Sequence, residues 1–140
     1  MAIWSMKPLM QERIWGGRNL EKLGRAWPEG KKIGESWELV DRPEAQSVVV
    51  ETGETLGSLW SGSQQEKIFG RRAPKGKHFP ILIKLLDAEE KLSLQVHPPA
   101  KKAKQMGGEP KTEMWYIADA RPDACLYAGL KSGTNKIVVQ

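Results

Sequence analysis

Residues 91–99 read Lys-Leu-Ser-Leu-Gln-Val-His-Pro-Pro, and this stretch predicts a β-strand that ends at a pair of prolines. Gln95 and His97 lie two positions apart, so on a strand both side chains point to the same face. Glu113 opens the next strand-like run, Glu-Met-Trp-Tyr-Ile, and is expected to meet them across the sheet. An imidazole, a carboxylate and an amide oxygen on one face predict an open divalent-metal site, where the cation polarises a bound oxygen.

The length and composition are those of one small globular domain. Of the 140 residues, 39% are hydrophobic and 28% are charged, and this balance excludes a largely disordered protein. The apolar runs are too short to span a bilayer, and residues 1–8 lack the pattern of a signal peptide. Cys125 is the only cysteine, which excludes an internal disulfide. We therefore expect a cytoplasmic protein without a membrane partner.

The net charge of +5 is concentrated in lysine and arginine clusters at 71–77 and 101–104. A basic surface attracts nucleic acid, or a small anion such as a sugar phosphate. These clusters contain no interleaved aromatic residues and match no nucleic-acid-binding signature. We therefore interpret them as solvated surface and expect no nucleic-acid partner.

Segments rich in Val, Ile, Leu and Trp, bounded by Gly, Pro or Asp, predict a mainly β fold. The predicted strands are 36–40, 46–50, 80–86, 91–96, 112–118, 124–127 and 135–139. Residues 87–91 predict a connection between antiparallel strands, and 42–43 and 121–123 predict turns. Short helices are predicted at 19–23, 55–60, 63–69 and 99–106, with Ser63 as an N-cap and Gly70 as a stop.

Several other side chains have two interpretations. Lys111 shares a face with Glu113 on an extended strand, where it either contacts a phosphate or hydroxyl or forms a solvated strand end. Trp15 precedes two glycines and could form a pocket wall, whereas most of the six tryptophans are expected in the core. We interpret His78 as a surface or packing histidine and Cys125 as an inert core thiol.

Five linked motifs resemble the type I phosphomannose isomerase family of metal-dependent cupin enzymes. They occur in the family's order and cover nearly the whole chain, which makes them more specific together than any one alone. The motifs are Glu12-Arg-Ile-Trp-Gly-Gly17, Ile33-Gly-Glu-Ser-Trp-Glu38, residues 79–88, Leu92-Ser-Leu-Gln-Val-His-Pro98 and residues 107–116. The resemblance implies a partial cupin-like jelly-roll barrel, with residues 1–140 as a single domain from the N-terminal part of the catalytic domain.

The resemblance also implies a function and a set of site residues. Family members interconvert mannose 6-phosphate and fructose 6-phosphate by moving a proton between C1 and C2. Gln95, His97 and Glu113 correspond to three zinc ligands of the family. Ser93 and Lys111 correspond to residues that line the sugar-phosphate pocket, with Trp15 and Glu35 as weaker candidates. The sequence assigns no residue to the proton transfer.

The chain departs from the family pattern in one respect. The fourth zinc ligand of the family, a histidine, and a catalytic arginine lie well downstream of the Glu113 motif, whereas the only other histidine here is His78, upstream of it. We therefore expect weaker zinc binding and little turnover from this chain alone. We also expect self-association through an uncovered sheet edge at 135–139.

Two alternatives from other functional classes stay open on the sequence. The first is a non-catalytic cupin module that binds a metal or a sugar phosphate, or that packs against a partner. The second is a cupin iron oxygenase, a class that typically uses two histidines and one carboxylate. Only His97 is available for such a triad in the metal-motif region.

Overall fold

The structure, a computed structural model, describes residues 3–25, 29–95, 97–129 and 131–133. The chain divides into two compact units, Met1–Leu94 and Gln95–Gln140. The predicted single domain over residues 1–140 stays a prediction. In the part of the chain that is described, no helix is long and apolar enough to cross a membrane.

Strands dominate the first unit, with a few short helices, and the fold is mainly β, as predicted. The strands in the described residues are β1 (Met6–Lys7), β2 (Leu9–Gly17), β3 (Ile33–Leu39), β4 (Asp41–Arg42), β5 (Ala45–Gln46), β6 (Val48–Val49) and β7 (Ile83–Leu86). A 3₁₀ helix spans Asn19–Leu23, α1 spans Leu56–Ser61 and α2 spans Gln65–Phe69. In the second unit, α3 spans Ala100–Gln105.

The main sheet has the order β2-β3-β7, with both neighbouring pairs antiparallel. Two-stranded antiparallel pairs, β1-β6 and β4-β5, accompany it. Gly16 of β2 lies against β3 so closely that a Cβ there would sit 2.4 Å from the backbone nitrogen of Gly34. This approach requires glycine, because a side chain at either position would separate the two strands.

The core of the first unit lies under α1 and the β4–β6 segment. Val40 and Val49 are fully buried, and Leu56 and Trp60 of α1 are nearly so. The Trp60 ring packs edge-on against Phe69 and Phe79 at centroid distances of 5.1 and 5.3 Å. Burying each of these large apolar side chains contributes roughly 1.5–3 kcal/mol, which is how these short elements are held together.

Local signals explain the helices. Thr55 caps α1, since its hydroxyl accepts a hydrogen bond from the backbone N–H of Ser58 at 3.1 Å. Gly70 ends α2 with a φ of 87°, as predicted. The predicted N-cap at Ser63 is wrong, because α2 begins two residues later and Gln64 occupies that position.

The 3₁₀ helix Asn19–Leu23 receives its cap from a distant part of the chain. Arg18 stands at the N-cap position without a side-chain cap. Instead the buried carboxylate of Asp87, 68 residues further along, accepts hydrogen bonds from the backbone N–H of Asn19 at 2.6 Å and from its Nδ2 at 3.0 Å. The carboxylate thus satisfies a donor that the helix itself cannot.

Several sequence predictions are wrong in the second half of the chain. Residues 91–95, 112–118 and 124–127 were expected as strands, but the structure gives them no strand hydrogen-bonding pattern. The predicted connection at 87–91 therefore joins β7 to a segment that is not a strand. Residues 135–139 and residue 96 lie outside the described residues. A strand requires a hydrogen-bonding neighbour, and alternation in the sequence cannot supply one.

Two predictions of burial are also wrong. Cys125 is exposed, not a core thiol. Among the described tryptophans only Trp60 is buried, Trp115 is exposed and the others are partly exposed. An indole carries one polar N–H on a large apolar ring, so a half-exposed position at a sheet surface satisfies both parts.

Candidate active site

The three predicted metal ligands all belong to the second unit. Gln95, His97 and Glu113 are exposed and lie in segments without regular secondary structure. The described residues contain no group of three or more His, Cys, Asp and Glu side chains that could hold a metal ion. The predicted set has only two residues of those types, together with the Gln95 amide, and its convergence on one point stays a prediction.

Lys111 and Glu113, predicted to share one face of a strand, form an ion pair in a segment without regular secondary structure. The Lys111 Nζ lies 2.6 Å from Oε1 of Glu113, and the two side chains are 36% and 31% exposed. A charge-assisted contact of this length fixes the ammonium beside the carboxylate. Because the pair is partly open to solvent, both groups remain accessible to a charged ligand.

The donor set fits a divalent cation in its chemistry. His97 offers an imidazole nitrogen, and Gln95 offers a neutral carbonyl oxygen. Glu113 offers a carboxylate oxygen, and this carboxylate already faces the Lys111 ammonium group. The imidazole and the carboxylate are ligand types that zinc accepts in catalytic sites, where three protein ligands leave one position open, whereas the amide oxygen is a weaker donor. The negative charge of the set comes from Glu113 alone, so a bound dication would keep its Lewis acidity.

Glu35, a predicted substrate-binding residue, lies at the centre of a polar cluster on the main sheet. It is 7% exposed. Its Oε2 accepts hydrogen bonds from Arg13 Nη2 at 3.0 Å and from Trp37 Nε1 at 2.9 Å, and its Oε1 accepts one from Lys84 Nζ at 3.1 Å. The carboxylate thus joins all three strands of the sheet. Direct contact of Glu35 with a substrate stays a prediction.

The pKa of Glu35 is set by two opposing effects. Burial raises the pKa, while the hydrogen bonds from Trp37 and Lys84 and the charges of Lys84 and Arg13 lower it. The lowering effects win, so the pKa lies below its ordinary value and Glu35 is ionised at neutral pH. One carboxylate faces two cations, which leaves this cluster with a net positive charge.

Arg13 and Lys84 are positions that the sequence analysis missed. Lys84 interrupts the apolar run of β7 directly opposite Trp37, and Arg13 precedes an exposed isoleucine on β2. Their side chains are only 36% and 23% exposed. A lysine inside an apolar strand was the available signal, since a cation there needs a buried counter-charge.

Trp15, predicted as a pocket wall, lies beside a shallow cleft of the first unit. The Trp15 carbonyl accepts the backbone N–H of Glu89 at 2.9 Å. The cleft has a volume of about 440 Å³ and is lined by Gly16, Gly17, Arg18, Lys32, Glu89 and Glu90. Its two cations are paired with carboxylates, Arg18 with Glu21 and Lys32 with Glu90. Ser93, the remaining predicted pocket residue, is exposed in a segment without regular structure.

His78 has a carboxylate neighbour that its sequence surroundings do not show. Its Nδ1 lies 3.4 Å from Oδ1 of the buried Asp41, whose Oδ2 accepts the backbone N–H of Phe79 at 2.7 Å. Gln46 also donates to Oδ1, at 2.6 Å. Burial raises the pKa of Asp41, but these hydrogen bonds and the His78 charge outweigh it and hold the pKa below its ordinary value. His78 therefore lies partly exposed, with one ring nitrogen beside a buried carboxylate.

Comparison with known proteins identifies the family. The model for the type I phosphomannose isomerase catalytic domain matches residues 3–123. The probable mannose-6-phosphate isomerase GmuF of Bacillus subtilis is 40% identical over 137 residues, which cover 94% of this chain and 42% of that protein. Mannose-6-phosphate isomerase ManA of the same organism is 38% identical over 135 residues, 93% of this chain and 41% of that protein.

A solved structure agrees with these sequence matches. The crystal structure of the mannose 6-phosphate isomerase from Bacillus subtilis matches with a TM-score of 0.63 and 34% identity, over 73% of this chain and 32% of that one. The chain spans about two fifths of the length of the relatives that it matches. Its strand-rich architecture is consistent with a cupin-like β fold. The chain belongs to the type I phosphomannose isomerase family and matches its catalytic domain.

Proposed function

We propose that this chain carries part of the site of a zinc-dependent aldose–ketose isomerase that interconverts mannose 6-phosphate and fructose 6-phosphate. The family match over residues 3–123 carries the proposal, because that range contains all three proposed zinc ligands and all proposed sugar-phosphate contacts. Relatives named as mannose-6-phosphate isomerases at 38–40% identity support the same substrate. We also propose a cytoplasmic location, where a phosphorylated sugar substrate is available and where the single cysteine, Cys125, needs no disulfide partner.

The proposed zinc ligands are Gln95, His97 and Glu113. Zinc, when bound there, would act as a Lewis acid toward the oxygens at C1 and C2 of the sugar. Around it, Lys111 would hold the substrate through its ammonium group, and the Ser93 hydroxyl would donate a hydrogen bond. The Lys111–Glu113 contact of 2.6 Å supports this arrangement, since it places a cation beside one proposed ligand.

In the first unit, Trp15 is the proposed wall of the sugar pocket. The position fits because the two glycines that follow it line the cleft of the first unit. Glu35 is the proposed fourth substrate contact, and its ionised carboxylate already fixes the side chains of Arg13 and Lys84. In a site prepared in this way, hydrogen-bond donors need little rearrangement when an anionic sugar phosphate arrives.

A coupled assay of mannose 6-phosphate turnover, with and without added zinc, tests the proposal. Zinc content is measured in parallel by mass spectrometry on the purified chain after dialysis. We expect zinc to bind and His97→Ala to abolish that binding, because the imidazole is the strongest neutral donor of the set. His78→Ala is the matched control, since it removes the other histidine of the chain and should leave zinc content unchanged.

The outcome separates binding from turnover. Zinc binding that survives His97→Ala and Glu113→Gln together would reject the proposed ligands. Isomerisation at ordinary enzyme rates without any metal would reject zinc dependence. Binding with little turnover agrees with the expectation from the sequence, because removing one positioned electrostatic contact costs about 10²–10³ in rate.

A further inference from the structure

Arg13 is the most exposed charged member of the cluster around Glu35. Its side chain is 36% exposed, whereas the side chains of Lys84 and Glu35 are 23% and 9% exposed. The Nη2 of Arg13 contacts Oε2 of Glu35 at 3.0 Å, and its Nη1 donates to the backbone carbonyl of Glu12 at 3.0 Å. The carboxylate thus lies deeper than the guanidinium, so an anion that approaches this cluster meets a cation first.

The guanidinium of Arg13 keeps donors for a ligand. A guanidinium carries five N–H groups, and the described residues accept hydrogen bonds from two of them, through Glu12 and Glu35. The cluster also keeps an excess positive charge, because Glu35 faces both Arg13 and Lys84. A phosphate monoester suits both properties. It carries about two negative charges and has three acceptor oxygens, and the planar fork of an arginine can bind two of these oxygens at once.

Arg13 also lies beside Trp15, the proposed wall of the sugar pocket. Both side chains lie against Gly34, since a Cβ on that glycine would be 2.6 Å from Cβ of Arg13 and 2.7 Å from Cζ3 of Trp15. The lack of a side chain at Gly34 therefore lets an arginine and an indole ring lie side by side on the first unit. An indole ring offers an apolar surface to a sugar, and the neighbouring guanidinium offers a partner for its phosphate.

We propose that Arg13, with its guanidinium held against Glu35, binds the phosphate group of the sugar phosphate. The identity of the ligand rests on the proposed function, whereas the residues of this contact all belong to the first unit. The ion pair with Glu35 restrains the arginine side chain before the ligand arrives, and this reduces the conformational entropy that is lost on binding. Arg13 is thus a substrate-binding residue in addition to those that the sequence predicted.

The test measures ligand binding to the purified 140-residue chain by isothermal titration calorimetry, without added zinc and without any need for turnover. The ligands are mannose 6-phosphate, inorganic phosphate and mannose. We expect mannose 6-phosphate to bind at least about tenfold more tightly than mannose, because mannose lacks the charged hydrogen bonds to Arg13. Arg13→Gln should weaken the binding of both phosphates by about tenfold to a hundredfold and leave the binding of mannose unchanged.

Two further variants serve as controls. Arg71→Gln is the matched control, because Arg71 also pairs with one carboxylate, Glu66, at 2.9 Å, but its side chain is 90% exposed. It should leave the binding of every ligand unchanged. Arg13→Lys keeps the positive charge beside Glu35 but lacks the planar fork, so it should fold and keep only part of the affinity for phosphate. The Nε–H resonance of Arg13 in the NMR spectrum, assigned by its loss in Arg13→Lys, should shift when inorganic phosphate is added.

Equal affinity of the wild type and folded Arg13→Gln for inorganic phosphate would overturn the inference. So would an Arg13 Nε–H resonance that phosphate does not shift, or mannose that binds as tightly as mannose 6-phosphate. If Arg13→Gln does not fold, the affinity of Arg13→Lys and the resonance of the wild type decide instead. Phosphate binding that depends on Arg13, in a chain that binds no zinc through His97, would support this contact and count against the proposed function alone. Zinc binding through His97 without phosphate binding at Arg13 would count against this contact alone.

Discussion

Replacing Glu35 by glutamine tests how the main sheet is held together. The change keeps the shape of the side chain but leaves Arg13 and Lys84 facing a neutral amide instead of a carboxylate at 3.0 and 3.1 Å. Breaking a fully buried ion pair costs about 3–5 kcal/mol. Arg13 and Lys84 retain 36% and 23% exposure, so water recovers part of that cost. We expect a loss of about 2 kcal/mol in the free energy of unfolding at pH 7.

The pKa of Glu35 also determines how its contribution to stability changes with pH. The pKa of Glu35 lies below its ordinary value of 4.5 in the folded state. Its contribution to stability is therefore complete above pH 4.5 and is lost as the pH falls through the lower folded pKa. The stability difference between wild type and Glu35→Gln should accordingly shrink on acidification, because protonated glutamic acid and glutamine are alike in charge.

Urea unfolding followed by tryptophan fluorescence measures both quantities, since Trp37 donates a hydrogen bond to Glu35. Glu66→Gln is the matched control, because Glu66 pairs with Arg71 at 2.9 Å while both side chains are mostly exposed. That control should lie within about 0.5 kcal/mol of wild type. A Glu35→Gln loss as small as the control's, or one that grows as the pH falls, would refute the reasoning.

Three further substitutions test other parts of the fold by the same unfolding measurement. Asp41→Asn should destabilise the chain at neutral pH and make its stability less sensitive to acid. The reason is that the lowered pKa of Asp41 contributes stability that is lost only as the pH falls below its ordinary 3.8. Equal acid sensitivity of the variant and the wild type would count against this. Gly16→Ala should cost more than about 2 kcal/mol, since its Cβ would lie 2.4 Å from backbone, whereas Gly76→Ala, with its closest atom at 3.6 Å, should be nearly neutral. Ser47→Ala should lower the free energy of unfolding by about 1–3 kcal/mol, because the fully buried hydroxyl accepts the backbone N–H of Val40 at 2.8 Å. A neutral result would show that water replaces the hydroxyl as the acceptor.

The sequence predicted those elements whose signals are local. The stop at Gly70 and the start near Thr55 depend on residues within one turn, and both are confirmed. The strands around Trp37 and Leu85 were also found, because both segments are rich in apolar residues and bounded by Gly, Pro or Asp. Strand β2 was missed because its pattern is inverted: Ile14 is 88% exposed while the charged Arg13 turns toward Glu35.

Only neighbours along the chain could be brought together from the sequence. Lys111 and Glu113, two positions apart, do contact each other, while their roles toward a metal and a substrate stay predictions. The Glu35 cluster joins residues that are 22 and 49 positions apart, and no short motif shows such a meeting. The predictions of strands at 91–95 and 112–118 are wrong for the same reason. A strand needs a hydrogen-bonding partner, and alternation in the sequence does not identify one.

The Asp87 cap also predicts an order of events during folding. A five-residue helix has little stability of its own, and its first donor is satisfied only when two points 68 residues apart meet. Closing so long a loop costs conformational entropy, and the pairing of β7 with the sheet offsets that cost. The helix should therefore form late, after β7 has docked, and substitutions in Asn19–Leu23 should speed unfolding without slowing refolding. The shortest-range structure in this part of the chain thus depends on one of its longest-range contacts.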